Sequence, residues 1–161
     1  MLVYGTCNPE GENNFYNGLY LTDKEIRSMV NSRELHGIPV KTEHKGSDVG
    51  KIVSTYIGDQ NELKCLLDID DKSFDGGLAA GFVRDNIACE LSLGYTVDVR
   101  HTENSRLKAG KKNVLEVSLV RKGARNGCQI TMYTDGDKVY VKQKSNECDA
   151  PTCFEPYFSV K

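Results

Sequence analysis

A serine, a histidine and a glutamate stand in segments whose patterns suit them for chemistry. Ser92 lies in Cys89-Glu90-Leu91-Ser92-Leu93-Gly94-Tyr95. From Cys89 to Val99 the chain alternates. Cys89, Leu91, Leu93, Tyr95, Val97 and Val99 share one face, and Glu90, Ser92, Gly94, Thr96 and Asp98 share the other, the period of a half-buried strand. The serine hydroxyl is therefore presented rather than packed. His44 follows the extended segment Ile38 to Thr42, and Gly46 and Gly50 allow a tight return into Lys51. Glu116 sits among apolar residues in Val114-Leu115-Glu116-Val117-Ser118-Leu119-Val120, where an unpaired buried carboxylate would be costly. A nucleophile, a base to take its proton and an acid to orient that base are the parts of acyl transfer.

Each residue also has a plainer reading. Ser92 fits a solvent-facing strand serine, and Glu116 fits a surface position, since Glu116 and Ser118 share a face. Of the three histidines, His36 lies where a helix ends and suits the charge there, while His101 opens a polar stretch. His44 is the best base of the three. Arg121-Lys122-Gly123-Ala124-Arg125-Asn126-Gly127 places glycines and cations just beyond a strand, where backbone N–H groups and a guanidinium would meet a developing oxyanion. It reads equally as a basic turn. It lacks the ending of a phosphate loop.

The elements that must position these residues are mostly strands. Phe15 to Leu21 reads as a strand, followed by a helix opened by a capping box of Thr22 and Glu25, with Ile26, Met29 and Val30 on one stripe. Lys51 to Ile57 and Glu62 to Ile69 form a hairpin. Phe74, Leu78 and Phe82 space a short helix that Gly76-Gly77 weakens. His101 to Lys112 reads as a polar loop, and Val114 to Arg121 as a strand. A hairpin closes around Asp135-Gly136. From Lys144 onward the chain reads as irregular, which suggests a domain over residues 1–143 and a segment over 144–161 leading to a scaffold or linker.

At 161 residues the chain suits one domain with a sizeable core. Net charge is −2, so there is no basic field to draw nucleic acid. No apolar run approaches the roughly 20 residues of a membrane span, and Met1 to Gly5 does not begin a signal peptide. The six cysteines are expected to be reduced and to act as small apolar side chains. Cys148 and Cys153 would be half a zinc site but lack a second pair at metal spacing, so no metal and no cofactor is expected.

Three segments together resemble the herpesvirus capsid maturation protease (assemblin) and its relatives, the prohead proteases of tailed bacteriophages. The first is Gly37-Ile38-Pro39-Val40-Lys41-Thr42-Glu43-His44, then Asp48-Val49-Gly50-Lys51-Ile52-Val53. It is similar to the family's extended segment ending in the catalytic histidine. The second, Glu90-Leu91-Ser92-Leu93-Gly94-Tyr95, resembles the nucleophile strand. The third is Leu115-Glu116-Val117-Ser118-Leu119-Val120 with Gly123-Ala124-Arg125-Asn126-Gly127.

The resemblance implies a triad of His44, Ser92 and Glu116, with the acid of the phage-type enzymes where herpesvirus enzymes carry a second histidine. His101 is the alternative third member. It also implies oxyanion stabilisation by the Ala124 N–H and the Arg125 side chain. The fold implied is mainly β with helices (α+β), a closed antiparallel β-barrel of about seven strands surrounded by helices. The function implied is a serine endopeptidase that cleaves capsid scaffolding protein and its own precursor during capsid maturation. The setting would be the procapsid interior, in the host nucleus for a herpesvirus-like member or the cytoplasm for a phage-like one. A homodimer is a further implication, though no long amphipathic helix is legible after residue 100.

Two rivals stand beside that reading. One is a catalytically inactive scaffold or assembly module with the same barrel, in which His44 would lie far from Ser92. The other is a cysteine-based hydrolase using Cys89 or Cys128.

Overall fold

The computed structural model describes residues 1–14, 16, 19–101, 107–142 and 155–159. Its strands are β1 (Leu2–Asn8), β2 (Pro39–Thr42), β3 (Lys45–Ile57), β4 (Leu63–Ile69), β5 (Glu90–His101), β6 (Leu107–Val120), β7 (Ile130–Asp135), β8 (Lys138–Val141) and β9 (Glu155–Ser159). Two α-helices, α1 (Asp23–Ser32) and α2 (Phe74–Arg84), accompany them. The strands form one sheet in the order β5-β6-β2-β3-β4-β1-β7-β8-β9. Only the β2–β6 pair is parallel, with Val40 opposite Val117 and Thr42 opposite Leu119; the other described pairs are antiparallel.

The expected closed antiparallel barrel ringed by helices is not what forms. The fold is a mixed, mainly β sheet of nine strands with β5 and β9 at its ends. Strands β8 and β9 extend the sheet beyond β7 instead of returning it to β5. Near its start β5 meets the segment before β7 through one isolated bridge, Glu90 with Gln129. Two hydrogen bonds flank it, Leu91 N to Cys128 O at 2.6 Å and Ile130 N to Cys89 O at 2.9 Å. That contact is not a ladder, and the two helices among the described residues are too few to ring a barrel.

Local chemistry explains α1. Thr22 Oγ1 accepts from Glu25 N at 3.2 Å, and Glu25 Oε2 accepts from Thr22 N at 2.7 Å, the reciprocal capping box. Ile26 and Met29 are buried against the sheet, and Arg33 ends the helix in the left-handed region at φ 57°. On its other side Glu25 Oε1 accepts from Lys112 Nζ of β6 at 2.7 Å.

Helix α2 forms where the spacing of Phe74, Leu78 and Phe82 placed a helix, with Phe82 packed against the core. Phe74 is 82% and Leu78 48% exposed, while Gly76, Ala79, Ala80 and Val83 are buried. The helix packs through its small residues, which bring its backbone close to the sheet. At Gly76 a Cβ would collide with the Asp70 carbonyl. The glycine that weakens helix propensity is what permits the close approach.

Three further segments differ from expectation. The polar run after His101 is largely strand: β5 and β6 continue pairing as Arg100–Lys108 and Val97–Lys112, because ladder hydrogen bonds need no apolar side chains. Residues 102–106 lie outside the described residues. The segment after Lys144 contributes β9, which pairs with β8; residues 143–154, with Cys148 and Cys153, lie outside the described residues, as do 160 and 161. Where a strand was expected from Phe15 to Leu21, a 3-10 turn over Gly11–Asn14 precedes a single bridge between Tyr16 and Leu19, and residues 15, 17 and 18 lie outside the described residues.

The core gathers Val3, Ile26, Val40, Ile52, Leu67 and Leu91 with their neighbours. Within it Cys7 of β1 and Cys65 of β4 pair as a disulfide, correcting the expectation of reduced thiols at these two positions, while Cys128 is a free, buried thiol. Antiparallel pairing of β1 with β4 brings the two buried sulfurs together.

Candidate active site

Three neighbouring strands, β5, β6 and β2, supply the candidate residues. In the β5–β6 ladder Ser92 lies opposite Ser118 and Gly94 opposite Glu116. Side chains two apart share a face of a strand, so these four positions make one surface. Leu91 and Leu119 turn into the core on the other. Parallel pairing sets β2 beside β6 with Lys41 opposite Ser118, and the chain leaving β2 turns at Glu43-His44 over that surface.

The turn is strained and held. Glu43 and His44 both have positive φ, 49° and 59°, which costs on the order of 1–3 kcal/mol for each such residue. Glu43 N donates to Leu119 O at 3.1 Å, Glu43 Oε1 accepts from Arg121 N at 2.8 Å, and His44 N donates to Ser118 Oγ at 2.9 Å. The imidazole is thereby aimed back at the sheet.

His44 Nε2 lies 2.9 Å from Ser92 Oγ, and His44 Nδ1 lies 2.6 Å from Glu116 Oε1. A carboxylate only accepts, so Nδ1 carries a proton and Nε2 is left to accept from the Ser92 hydroxyl. Glu116 is buried, and its second oxygen, Oε2, accepts from Ser118 Oγ at 2.6 Å. Ser92 is itself only 3% exposed, while the His44 side chain is 44% exposed. The imidazole covers the serine and faces outward.

The relay opens into a cleft of about 300 Å³ lined by Tyr16, Leu19, Leu93, Tyr95, Ala124 and Arg125 together with His44, Ser92 and Gly94. Arg125 is buried: its Nε donates to Asn14 O at 2.7 Å and its Nη2 to Tyr95 Oη at 2.6 Å. Its guanidinium lies 5.7 Å from the Tyr16 ring and 5.4 Å from the Tyr95 ring, a cation–π setting on both sides. Two carboxylates anchor the turn carrying Ala124 and Arg125. Glu43 takes Arg121 N, and Glu90 Oε2 takes Gly123 N at 2.6 Å.

The structure thus brings together all five residues singled out in the sequence: His44, Ser92, Glu116, Ala124 and Arg125. The alternative third member, His101, ends β5, and its side chain lies outside the described residues. Cys89 and Cys128 do not line the cleft. Burial pushes the Cys128 thiol up to about 12, far from the thiolate that a cysteine nucleophile requires. Among the described residues no group of three or more His, Cys, Asp or Glu side chains is placed to hold a metal ion, and no helix is long and apolar enough to cross a membrane.

Sequence reasoning missed Ser118, Tyr95, Asn14, Glu43 and Glu90. Alternation puts Tyr95 on the apolar face, and it packs against the core while its hydroxyl reaches Arg125 at the cleft. Gly94 pairs with Glu116 and Tyr95 with Val114, so β6 bulges at Leu115, which is 53% exposed. A second shift between Val97 and Val99 leaves Val99 60% exposed. Ser118 had a signal, since it shares a face with Glu116.

The fold resembles that of KSHV protease. That protein, in a crystal structure of its complex with a hexapeptide phosphonate inhibitor, aligns at a TM-score of 0.53 and 18% identity over 84% of this chain. The alignment covers 66% of the KSHV protease chain, so the present chain spans just under two thirds of that length. At this identity the likeness is one of fold, a distant structural relationship. No family model matches the sequence, and no curated protein matches it.

Proposed function

We propose that this protein is a serine endopeptidase in which Ser92 is the nucleophile, His44 the general base and Glu116 the acid that orients His44. The observation that carries this reading is the unbroken relay from Ser92 Oγ to His44 Nε2 at 2.9 Å and from His44 Nδ1 to Glu116 Oε1 at 2.6 Å. The same distances count against an inert module, in which nothing would require the imidazole to meet the serine.

As Ser92 Oγ attacks a peptide carbonyl, its proton passes to His44 Nε2, and the imidazolium is stabilised by the carboxylate beyond. The carbonyl oxygen becomes an oxyanion facing the turn, where the Ala124 N–H and the Arg125 guanidinium offer positive potential. His44 then gives its proton to the leaving amine, and the acyl-enzyme forms. Water, deprotonated by the same imidazole, releases the acid and regenerates Ser92.

The substrate in this proposal is capsid scaffolding protein and the enzyme's own precursor, cut inside a maturing capsid. The sequence resemblance of the three motifs supports it, and the shared fold with a viral protease is consistent with it.

A fluorophosphonate or phosphonofluoridate reagent tests the chemistry without a known substrate. Mass spectrometry should find one adduct on Ser92 in the wild type, none in Ser92→Ala, and undiminished labelling after thiol alkylation. An adduct elsewhere, or labelling abolished by thiol alkylation, would remove Ser92 from the role. Co-expression with candidate scaffold proteins then tests the substrate: cleavage by the wild type and none by Ser92→Ala.

A further inference from the structure

We propose that Ser118 is a positioning residue that sets both ends of the His44 imidazole at once, an inference that rests on the serine-endopeptidase reading above. Ser118 lies directly opposite Ser92 in the β5–β6 ladder and is fully buried. Its hydroxyl donates to Glu116 Oε2 at 2.6 Å and accepts from His44 N at 2.9 Å. A hydroxyl has one proton to give and lone pairs to accept with, and here each goes to a different member of the relay.

The consequences follow from what each bond prevents. A carboxylate held only at Oε1 is free to swivel about its last torsion. With Oε2 fixed by Ser118, Oε1 stays on His44 Nδ1. The backbone of His44 sits at φ 59°, a conformation that relaxes unless something holds it. The bond from His44 N to Ser118 is one of the ties that hold it. Ser118 therefore fixes where the imidazole starts and where its far nitrogen is anchored, without touching substrate. Removing the hydroxyl leaves a buried carboxylate oxygen and a backbone N–H each short of a partner.

The test compares the wild type with Ser118→Ala. The first readout is the downfield proton resonance of His44 Nδ1, which a merely structural role would not move. The second is the rate of Ser92 labelling by a phosphonofluoridate. In folded Ser118→Ala the resonance should shift and broaden, and labelling should slow by about 10- to 100-fold, the scale of losing one hydrogen bond to a charged group. With a peptide substrate the loss should fall on kcat, with KM nearly unchanged.

If alanine at this buried site prevents folding, Ser118→Cys carries the test, because it leaves no cavity and exchanges a strong donor for a weak one. An unmoved resonance in a folded variant would overturn the inference. Wild-type protein that takes no label would instead overturn the reading of Ser92, while the resonance still decides whether Ser118 positions His44.

Discussion

Gly94 stands opposite Glu116 in the β5–β6 ladder, and a Cβ at Gly94 would collide with the Glu116 carboxylate. The glycine is therefore part of how the acid reaches His44. It leaves the room on the strand face into which the carboxylate folds before turning to Nδ1. Gly94→Ala should push the carboxylate off the imidazole. Displacements of about 1 Å at a catalytic group cost about 10²-fold in rate, and overpacking a full site costs about 1–3 kcal/mol. Both effects are expected: labelling of Ser92 slowed on that scale, and a lower midpoint in urea. Wild-type labelling rates in the alanine variant would show that the carboxylate has another way to reach His44.

Glu116→Gln separates charge from shape. The side chain keeps its length and an oxygen, but it cannot stabilise an imidazolium, and its amide nitrogen competes to face His44 Nδ1 in the wrong tautomer. Activity should fall by about 10³- to 10⁴-fold, the scale of replacing the acid of a serine triad by its amide, while the fold remains. Stopped-flow or discontinuous cleavage assays beside circular dichroism would check both parts. A loss below tenfold would move the third role to another residue.

More of the candidate site's geometry than of the fold was legible in the sequence. Strand alternation put Ser92 on the polar face, where His44 covers it, an isolated carboxylate marked Glu116, and a capping box located α1, because each is a local pattern of residue types. What alternation does not encode is register. A bulge in β6 leaves Leu115 unpaired and 53% exposed, although it stands in an apolar run. The spacing of Phe74, Leu78 and Phe82 located α2 but not the face that packs: Phe74 is exposed, while Gly76, Ala79 and Ala80 are buried and Phe82 packs against the core. Sheet closure depends on how distant strands meet, and the parallel pairing of β2 with β6 has no signature in either segment.

Burial lowers the Lys142 ammonium to about 8 from the ordinary 10.5. The ammonium donates to Asn86 Oδ1 at 3.2 Å and to Ala88 O at 3.1 Å, just ahead of β5. The unfolded chain keeps this proton to near its ordinary pKa, whereas the folded chain releases it at about 8. Between those values the unfolded state binds more protons, so stability contributed by this group rises with pH across the window. Below it the charged, buried ammonium opposes folding. Comparing wild type with Lys142→Met by urea denaturation isolates the group, because every other titrating side chain is common to both. From about pH 7 to about pH 9.5 the wild type should gain stability relative to the variant. Parallel stability curves would mean that Lys142 titrates at its ordinary value.

Arg125 has two possible duties, and paired variants divide them. As a strut it joins Asn14 O to Tyr95 Oη, and as a cation it lines the cleft beside Ser92. Tyr95→Phe removes one strut contact and leaves the guanidinium charge in place. Arg125→Lys keeps a charge but loses the planar fork that reaches both partners. If the guanidinium stabilises the oxyanion, Arg125→Lys should lower kcat by about 10²- to 10³-fold, the cost of losing an oxyanion donor. Tyr95→Phe should lower it by less than about tenfold. Both variants should lose some stability, since a buried donor or acceptor is left short of its partner in each. The decisive quantity is the ratio of the two kcat losses. Equal losses, tracking stability alone, would make Arg125 a strut and leave the oxyanion to the backbone of the turn.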